Sequence, residues 1–324
     1  MSTVFIGTSE FAAAVLEHLA CSDAHRPTLV ITRPDRPSGR GRQLSSPPVA
    51  ASARALGIAL EQPQDVNAPD TTELIALAAP EAVVVCAFGA LIKEPLLSAH
   101  QILNVHPSLL PRWRGAAPVE RAIIAGDERT GVSIMRLTAG LDSGPVCLAE
   151  TEPIYPDDTY GSLAARLQQL GGELLVRALE QAPPFREQPQ EGVTYAEKLG
   201  PADRLLDPAR AAVELERVVR ALHPHVGARV ALADGSLLGV QRAALLDTTA
   251  LPQELPREAR GAGAAAQATV GVAAEHAPGP VARDGRLLLD CAPGVLELLV
   301  VQPPGGRPMD ASAYLRGHGP AASR

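Results

Sequence analysis

Asn104 and His106 stand two residues apart in ILNVHPSLLPRWRGAAP, residues 102–118. A strand ending there sends both side chains to one face. The amide of Asn104 could donate a hydrogen bond to a developing oxyanion. The imidazole of His106 could do the same or move a proton, and the spacing leaves that choice open. Asp142 lies between glycines in Gly140-Leu141-Asp142-Ser143-Gly144. Asp in such a setting commonly forms a turn. A carboxylate that reached His106 would instead orient its ring, as the third member of a triad does.

Other residues could serve a ligand. Ser108, Leu109, Leu110 and Pro111 would present backbone polar groups beside apolar side chains, which suits a flat heteroaromatic molecule. Arg112 and Arg114 flank the one Trp and are either solvated or in contact with an anion. Arg33, Arg36, Arg40 and Arg42 crowd into TRPDRPSGRGRQL, residues 32–44. The Pro, Ser and Gly between them predict an irregular arm that could meet phosphates. The chain has no GxGxxG, Walker A or GxSxG sequence, so nucleotide-cofactor and serine-hydrolase readings find no support.

The elements that must position these residues can be read from periodicity. Residues 3–6 predict a strand, and Phe11, Val15, Leu16 and Leu19 recur at helical spacing after a Gly-containing turn. Further strands are expected at 28–32, 81–87, 102–105, 132–137 and 146–151. Helices are expected at 47–56, 71–79, 116–125 and 159–182. Val83-Val84-Val85 is the continuous apolar run of a parallel strand buried on both faces. Strands alternating with helices predict a mostly parallel sheet covered on both sides. Asn104 and His106 then sit at the carboxyl end of a strand, where open α/β sheets bind their ligands.

The pattern stops at Pro183-Pro184. Residues 186–208 read as a connector. A helix at 213–222 and short strands at 228–232, 237–240, 286–290 and 296–302 predict a small, partly open barrel. Residues 252–268 are rich in Ala, Gly and Pro and predict a flexible excursion between strands.

Composition sets the outer limits. With 324 residues, two domains are expected. The net charge of −7 argues against a general nucleic-acid coat, but residues 209–324 hold 12 of the 29 basic and only 11 of the 36 acidic side chains. That half repels a polyanion least. Four separated cysteines without metal-ligand spacing read as free thiols. No apolar run approaches the roughly 20 residues of a membrane span.

The motifs together resemble the folate-dependent formyltransferases. NVHPSLLPRWRGAAP followed by GLDSG resembles the core of that superfamily. VFIGTSEFA, TRPDRPSGRGRQLSSPPV, VVVCAFGALI, TGVSIMRLTAGLDSG, VTYAEKL and QPPGGRPMDASAYLRG extend the likeness over nearly the whole chain, toward the members that act on tRNA. The resemblance implies an α/β fold: a Rossmann-like domain at 1–185 that binds 10-formyltetrahydrofolate, a linker at 186–208, and an OB-like β-barrel at 209–324 that holds tRNA. The family's catalytic residues fall on Asn104, His106 and Asp142, and its folate contacts on Ser108, Leu109, Leu110 and Pro111. Its acceptor-end loop falls on 33–44, with Arg36, Arg40 and Arg42 as tRNA contacts and Arg40 ranked first. The implied reaction moves a formyl group to the α-amine of methionine on initiator Met-tRNA, without a metal, in a cytoplasmic monomer. Two other readings stay open: a nucleotide-sugar amine as acceptor, and a catalytically silent RNA-binding protein.

Overall fold

The computed structural model describes residues 2–38, 43–246 and 279–318. Two compact units divide the chain, Met1–Leu199 and Gly200–Arg324. In the first, β1 (Thr3–Gly7), β2 (Pro27–Ile31), β5 (Ala59–Glu61), β6 (Ala82–Cys86) and β7 (Ile102–His106) run parallel. β9 (Arg129–Arg136) pairs antiparallel with β7, and β10 (Val146–Pro153) antiparallel with β9. The sheet order is β10-β9-β7-β6-β1-β2-β5. The chain builds outward from β1 on one side and then returns to build from β6 on the other. The switch point therefore lies between β1 and β6, where a crevice opens beyond the carboxyl ends.

Helices α1 (Glu10–Ala20), α2 (Pro48–Ala55), α3 (Pro69–Leu77), α4 (Leu96–Ala99), α5 (Pro118–Ala125) and α6 (Tyr160–Gln181) fill the connections. Ser9 caps α1 by accepting the N–H of Ala12, and Thr159 and Ser162 form a reciprocal box at the start of α6. α6 buries Leu163, Leu167, Leu174 and Leu175. The main elements fall where periodicity places them. α4 and β5, each one turn or a few residues long, carry too little pattern to be seen.

One face of the sheet explains the location of the polar pair. Val4, Ile6, Leu29, Ile31, Val83, Val85 and Ile102 form one apolar cluster with Ile75 and Leu96. Ile102 opposes Val83, and Asn104 opposes Val85. Asn104 and His106 thus continue the row begun by Ile102, and the face turns from apolar to polar at the end of β7.

The arginine arm corrects an expectation. β3 (Arg36–Ser38) and β4 (Gln43–Ser45) pair antiparallel, with Arg36 opposite Ser45 and Pro37 opposite Leu44. A two-stranded ribbon has two open edges, so Pro37 can turn its missing N–H away from the partner strand. Arg40 and Arg42 lie outside the described residues.

Two short strands, β8 (Arg114–Gly115) and β11 (Tyr195–Ala196), pair parallel away from the main sheet. In the second unit, α7 (Ala212–Leu222) precedes β12 (Ala228–Ala231), β13 (Leu237–Leu245), β14 (Val281–Arg283), β15 (Arg286–Asp290), β16 (Val295–Gln302), β17 (Met309–Asp310) and α8 (Ala311–His318). The strands form an antiparallel sheet ordered β12-β13-β16-β15-β14, with β17 on β16. Register shifts at Arg242 bulge β13 against β16, and bulges curl a sheet toward a barrel. The segment 252–268 lies outside the described residues. Among the described residues, no helix is long and apolar enough to cross a membrane.

Candidate active site

Asn104 and His106 are 7% and 4% exposed. Asn104 sits between Val85 of β6 and Met135 of β9, and His106 opposes Ser133. The Asn104 amide makes no hydrogen bond to another described side chain or backbone group, which leaves its donors for a ligand. His106 is oriented from behind: its Nε2–H donates to the carbonyl of Trp113 over 2.9 Å. That bond fixes the neutral tautomer and leaves Nδ1 as the nitrogen able to take up a proton. Asp142 Oδ2 lies 3.8 Å from Nδ1, at ion-pair rather than hydrogen-bond distance.

The loop after β7 is held by its own side chains. Ser108 is fully buried; its hydroxyl donates to the carbonyl of Arg112 over 2.6 Å, and its carbonyl accepts from Ser133 Oγ. Leu110 N–H also reaches Ser133 Oγ, so one hydroxyl ties two points of the loop to β9. Leu109, Leu110 and Pro111 are half-buried. Trp113 adopts φ 64°, a left-handed backbone unusual for a bulky residue. Its N–H donates to Thr194 Oγ1, and its indole N–H donates to Asp127. Arg112 is engaged within the protein: it pairs bidentately with Asp127 and stacks 4.3 Å from the indole centroid. This pairing pushes the Arg112 pKa up. Arg114 is buried, with its guanidinium on Gln188. Both arginines have acceptors within the protein, although the Arg112 side chain stays 42% exposed.

Asp142 comes back to this place from β9. Leu137 N–H still bonds to Ile102 O, beside the start of β7, and the following loop folds over until Asp142 reaches the other end. The residue takes φ 42°, and its Oδ2 accepts the N–H of Gly115 at 2.9 Å. Gly115 has φ +125°, and a Cβ there would lie 2.6 Å from the carbonyl of Ala196. Only glycine brings its N–H to Asp142 while β8 pairs with β11. Strained backbone at Trp113, Asp142 and Ala87, which follows β6, gathers around one end of the sheet.

A cleft of about 470 Å³ opens beside this place, lined by Thr8, Arg33, Arg36, Ser45, Phe88 and Gly89 among others. Thr8 follows β1 and Phe88 follows β6, so the cleft occupies the switch point. Arg36 is exposed on its rim. A closed ring of hydrogen bonds holds the base of the β3–β4 ribbon. Ser46 Oγ and Gln62 Nε2 donate to the two oxygens of Asp35, while Arg54 donates to Ser46 Oγ and to Gln62 Oε1. The Gln62 and Ser46 bonds hold the Asp35 carboxyl below the usual range. Sequence patterning gave no sign of Gln62, Asp127 or Gln188, because each acts across a distance in the chain that periodicity does not register, and Ser133 was marked by its place in TGVSIMRLTAGLDSG alone. Thr194 likewise had one signal, its place in VTYAEKL. Among the described residues, no group of three His, Cys, Asp or Glu side chains could hold a metal ion.

Comparison with known proteins gives the family of both parts of the chain. Residues 1–179 match the formyl transferase family, and residues 198–319 match the formyl transferase C-terminal domain. A methionyl-tRNA formyltransferase of Halorhodospira halophila is 40% identical over 322 residues, spanning 97% of this chain and 95% of the relative. A solved methionyl-tRNA formyltransferase from Clostridium thermocellum has a TM-score of 0.58 at 14% identity, over 76% of this chain and 95% of that one. An N-formyltransferase from Helicobacter canadensis, solved with folinic acid and dTDP-3-aminofucose, has a TM-score of 0.60 at 13% identity, over 91% of this chain and 98% of that one. At those identities the two structures establish a shared fold.

Proposed function

The chain belongs to the methionyl-tRNA formyltransferase family, and from that premise we propose how its residues carry out the transfer. The reaction takes the formyl group of 10-formyltetrahydrofolate to the α-amine of methionine on initiator Met-tRNA. The observation that carries the assignment is the row of Asn104 and His106 at the end of β7, with the Asp142 carboxylate 3.8 Å from His106 Nδ1.

The loops around that row suit a folate. Leu91, on the loop after β6, and Leu141, on the loop after β9, are 63% and 58% exposed. Leu109, Leu110 and Pro111 add half-buried apolar contacts and backbone groups. Ser108, whose hydroxyl is spent on Arg112, shapes this loop from within. The folate co-substrate supplies an N-formyl group that is already activated toward an amine.

Asn104 donates a hydrogen bond to the formyl oxygen as it gains negative charge, an interaction whose loss costs about 10²–10³ in rate. His106 Nδ1 accepts the proton of the attacking amine as the new N–C bond forms. Asp142 stabilises the resulting imidazolium through space. His106 then returns the proton to N10 of the folate as the old C–N bond breaks. Products are formyl-Met-tRNA and tetrahydrofolate, and the protein ends as it began.

The switch-point cleft receives the aminoacyl end of the acceptor. Arg36, together with Arg40 and Arg42, contacts the acceptor stem through phosphates and base edges. The second unit, the less acidic part of the chain, holds the tRNA body. We place the enzyme in the cytoplasm, where charged initiator tRNA is used, and assign one monomer to each tRNA.

Incubation with 10-formyltetrahydrofolate and charged initiator tRNA tests this reading. Formyl-methionine released from the tRNA is the expected product by mass spectrometry. A dTDP-amino sugar serves as the rival acceptor. Formylation of the sugar with none of the tRNA would defeat the assignment.

A further inference from the structure

Gln188 sits in the proline-containing stretch after α6, far in sequence from either β7 or the Asp142 loop. It is 7% exposed. Its Oε1 accepts from Arg114 Nε at 3.1 Å and from an Arg114 terminal N–H at 2.8 Å. Its Nε2 donates to the carbonyl of Asp142 at 2.8 Å and to that of Gly144 at 2.7 Å. Both lone pairs and both N–H groups of the amide are therefore used. The assignment of oxygen and nitrogen is forced, because a guanidinium only donates and a backbone carbonyl only accepts.

The position of this side chain is itself fixed. Arg186 exchanges both backbone hydrogen bonds with Val146 at the start of β10, at 2.8 and 2.9 Å. Phe185 packs its ring 4.4 Å from the Arg136 guanidinium. The strap therefore has one register on the sheet, and that register delivers Gln188 to the Asp142 loop. Arg114, the other support, precedes the glycine whose N–H holds the Asp142 carboxylate. Backbone and carboxylate of Asp142 are thus gripped from two sides by one short piece of β8.

We propose that Gln188, held by Arg114, is a positioning residue for the transfer: it fixes the left-handed backbone at Asp142 so that the carboxylate faces His106. The inference rests on the assignment of Asp142 to His106 made above. It adds a residue that touches neither substrate and works through Asp142 alone. Displacing a catalytic group by about 1 Å costs on the order of 10²-fold in rate. Any retreat of the carboxylate from 3.8 Å weakens its interaction with Nδ1.

Steady-state formylation of Met-tRNA by the full-length enzyme tests this, with Gln188→Ala, Gln188→Glu, Asp142→Ala and the double variant Gln188→Ala/Asp142→Ala. Gln188→Ala is expected to lower kcat by about 10- to 100-fold, with KM for Met-tRNA and for 10-formyltetrahydrofolate within about twofold. Gln188→Glu keeps an acceptor for Arg114 but loses both N–H donors, so it should fall as far while melting at or above the Gln188→Ala temperature. In the Asp142→Ala background, adding Gln188→Ala should cost less than about twofold, since the two act on one group. Full additivity in the double variant would overturn the inference, as would wild-type kcat in Gln188→Glu. A wild-type rate in Asp142→Ala would instead remove the underlying assignment of Asp142, and the inference with it. Should Gln188→Ala not fold, Gln188→Glu alone carries the decision.

Discussion

His106 and Trp113 are joined through the back of the imidazole, whose Nε2–H donates 2.9 Å to the Trp113 carbonyl. That carbonyl is where it is because Trp113 is fixed at three other points: its N–H on Thr194, its indole N–H on Asp127, and its ring beneath Arg112. Asp127 thus supports the ring of His106 without approaching it. The Asp127 side chain is 16% exposed and accepts three N–H groups. Asp127→Ala strands those donors, and we expect a stability loss of about 2–4 kcal/mol by denaturant unfolding. The kcat for formylation should fall about tenfold with it, and Asp127→Asn should recover part of both. Unchanged kcat in a folded Asp127→Ala protein would show that Trp113 holds its place by other means.

Gly115 joins the Asp142 carboxylate to the β8–β11 pair. A methyl group there meets the Ala196 carbonyl at 2.6 Å, on a backbone at φ +125° that side chains avoid. Gly115→Ala should cost about 3 kcal/mol from strain and lost pairing. It should also lower kcat more than KM, because the N–H on Asp142 Oδ2 moves. Gly57, equally left-handed at φ +68° but open to space, provides the contrast. Gly57→Ala should lose only about 1 kcal/mol and keep its rate. Equal kcat losses at the two positions would remove the special role of Gly115.

The base of the arginine ribbon can be loosened without touching an arginine of the ribbon. Gln62→Ala breaks the ring of Asp35, Ser46, Arg54 and Gln62 and also removes the bond from Gln62 to the Arg33 carbonyl. The ribbon then loses its fixed angle over the switch-point cleft. We expect KM for Met-tRNA to rise about tenfold, with kcat and KM for the folate near wild type. Should kcat fall while KM for tRNA stays put, the ring serves the reaction centre rather than acceptor binding.

What could be read in the sequence follows from how each feature is encoded. Val83-Val84-Val85 is an unbroken apolar run and the leucines of α6 recur at helical spacing, so the sheet and its long helix are visible in one dimension. Asn104 and His106 share a strand, and their common face follows from their spacing of two. The tie to Asp142 is tertiary: nothing in GLDSG says that its loop folds back over β7. Arg112 and Arg114 could be read only as solvated or as anion contacts, because their acceptors, Asp127 and Gln188, come from elsewhere in the chain. Residues 36–38 and 43–45 looked irregular because proline is a poor strand former, yet an isolated ribbon tolerates Pro37.

Acid stability should turn on Asp158, beside the start of α6. The carboxylate is 4% exposed and accepts from Arg166, Ser162 Oγ and Tyr155 N–H. Burial pushes its pKa up, but the Arg166 and Ser162 bonds outweigh that, and the group lies below the ordinary carboxylate value. A carboxyl depressed in the folded state binds its proton more readily once unfolded. Its contribution is therefore present in full above the unfolded pKa of about 4 and is lost as pH falls through the lower folded value. Arg166 keeps Glu152 and is 31% exposed, which softens the loss of a partner. Asp158→Asn should cost about 2 kcal/mol at neutral pH. The deficit should shrink as pH falls below about 4, where the wild-type carboxyl takes up its proton as well. Thermal melts of both proteins between neutral and strongly acid pH read the difference directly. A gap in Tm that stays constant across that range would show that Asp158 acts by shape and hydrogen bonding alone.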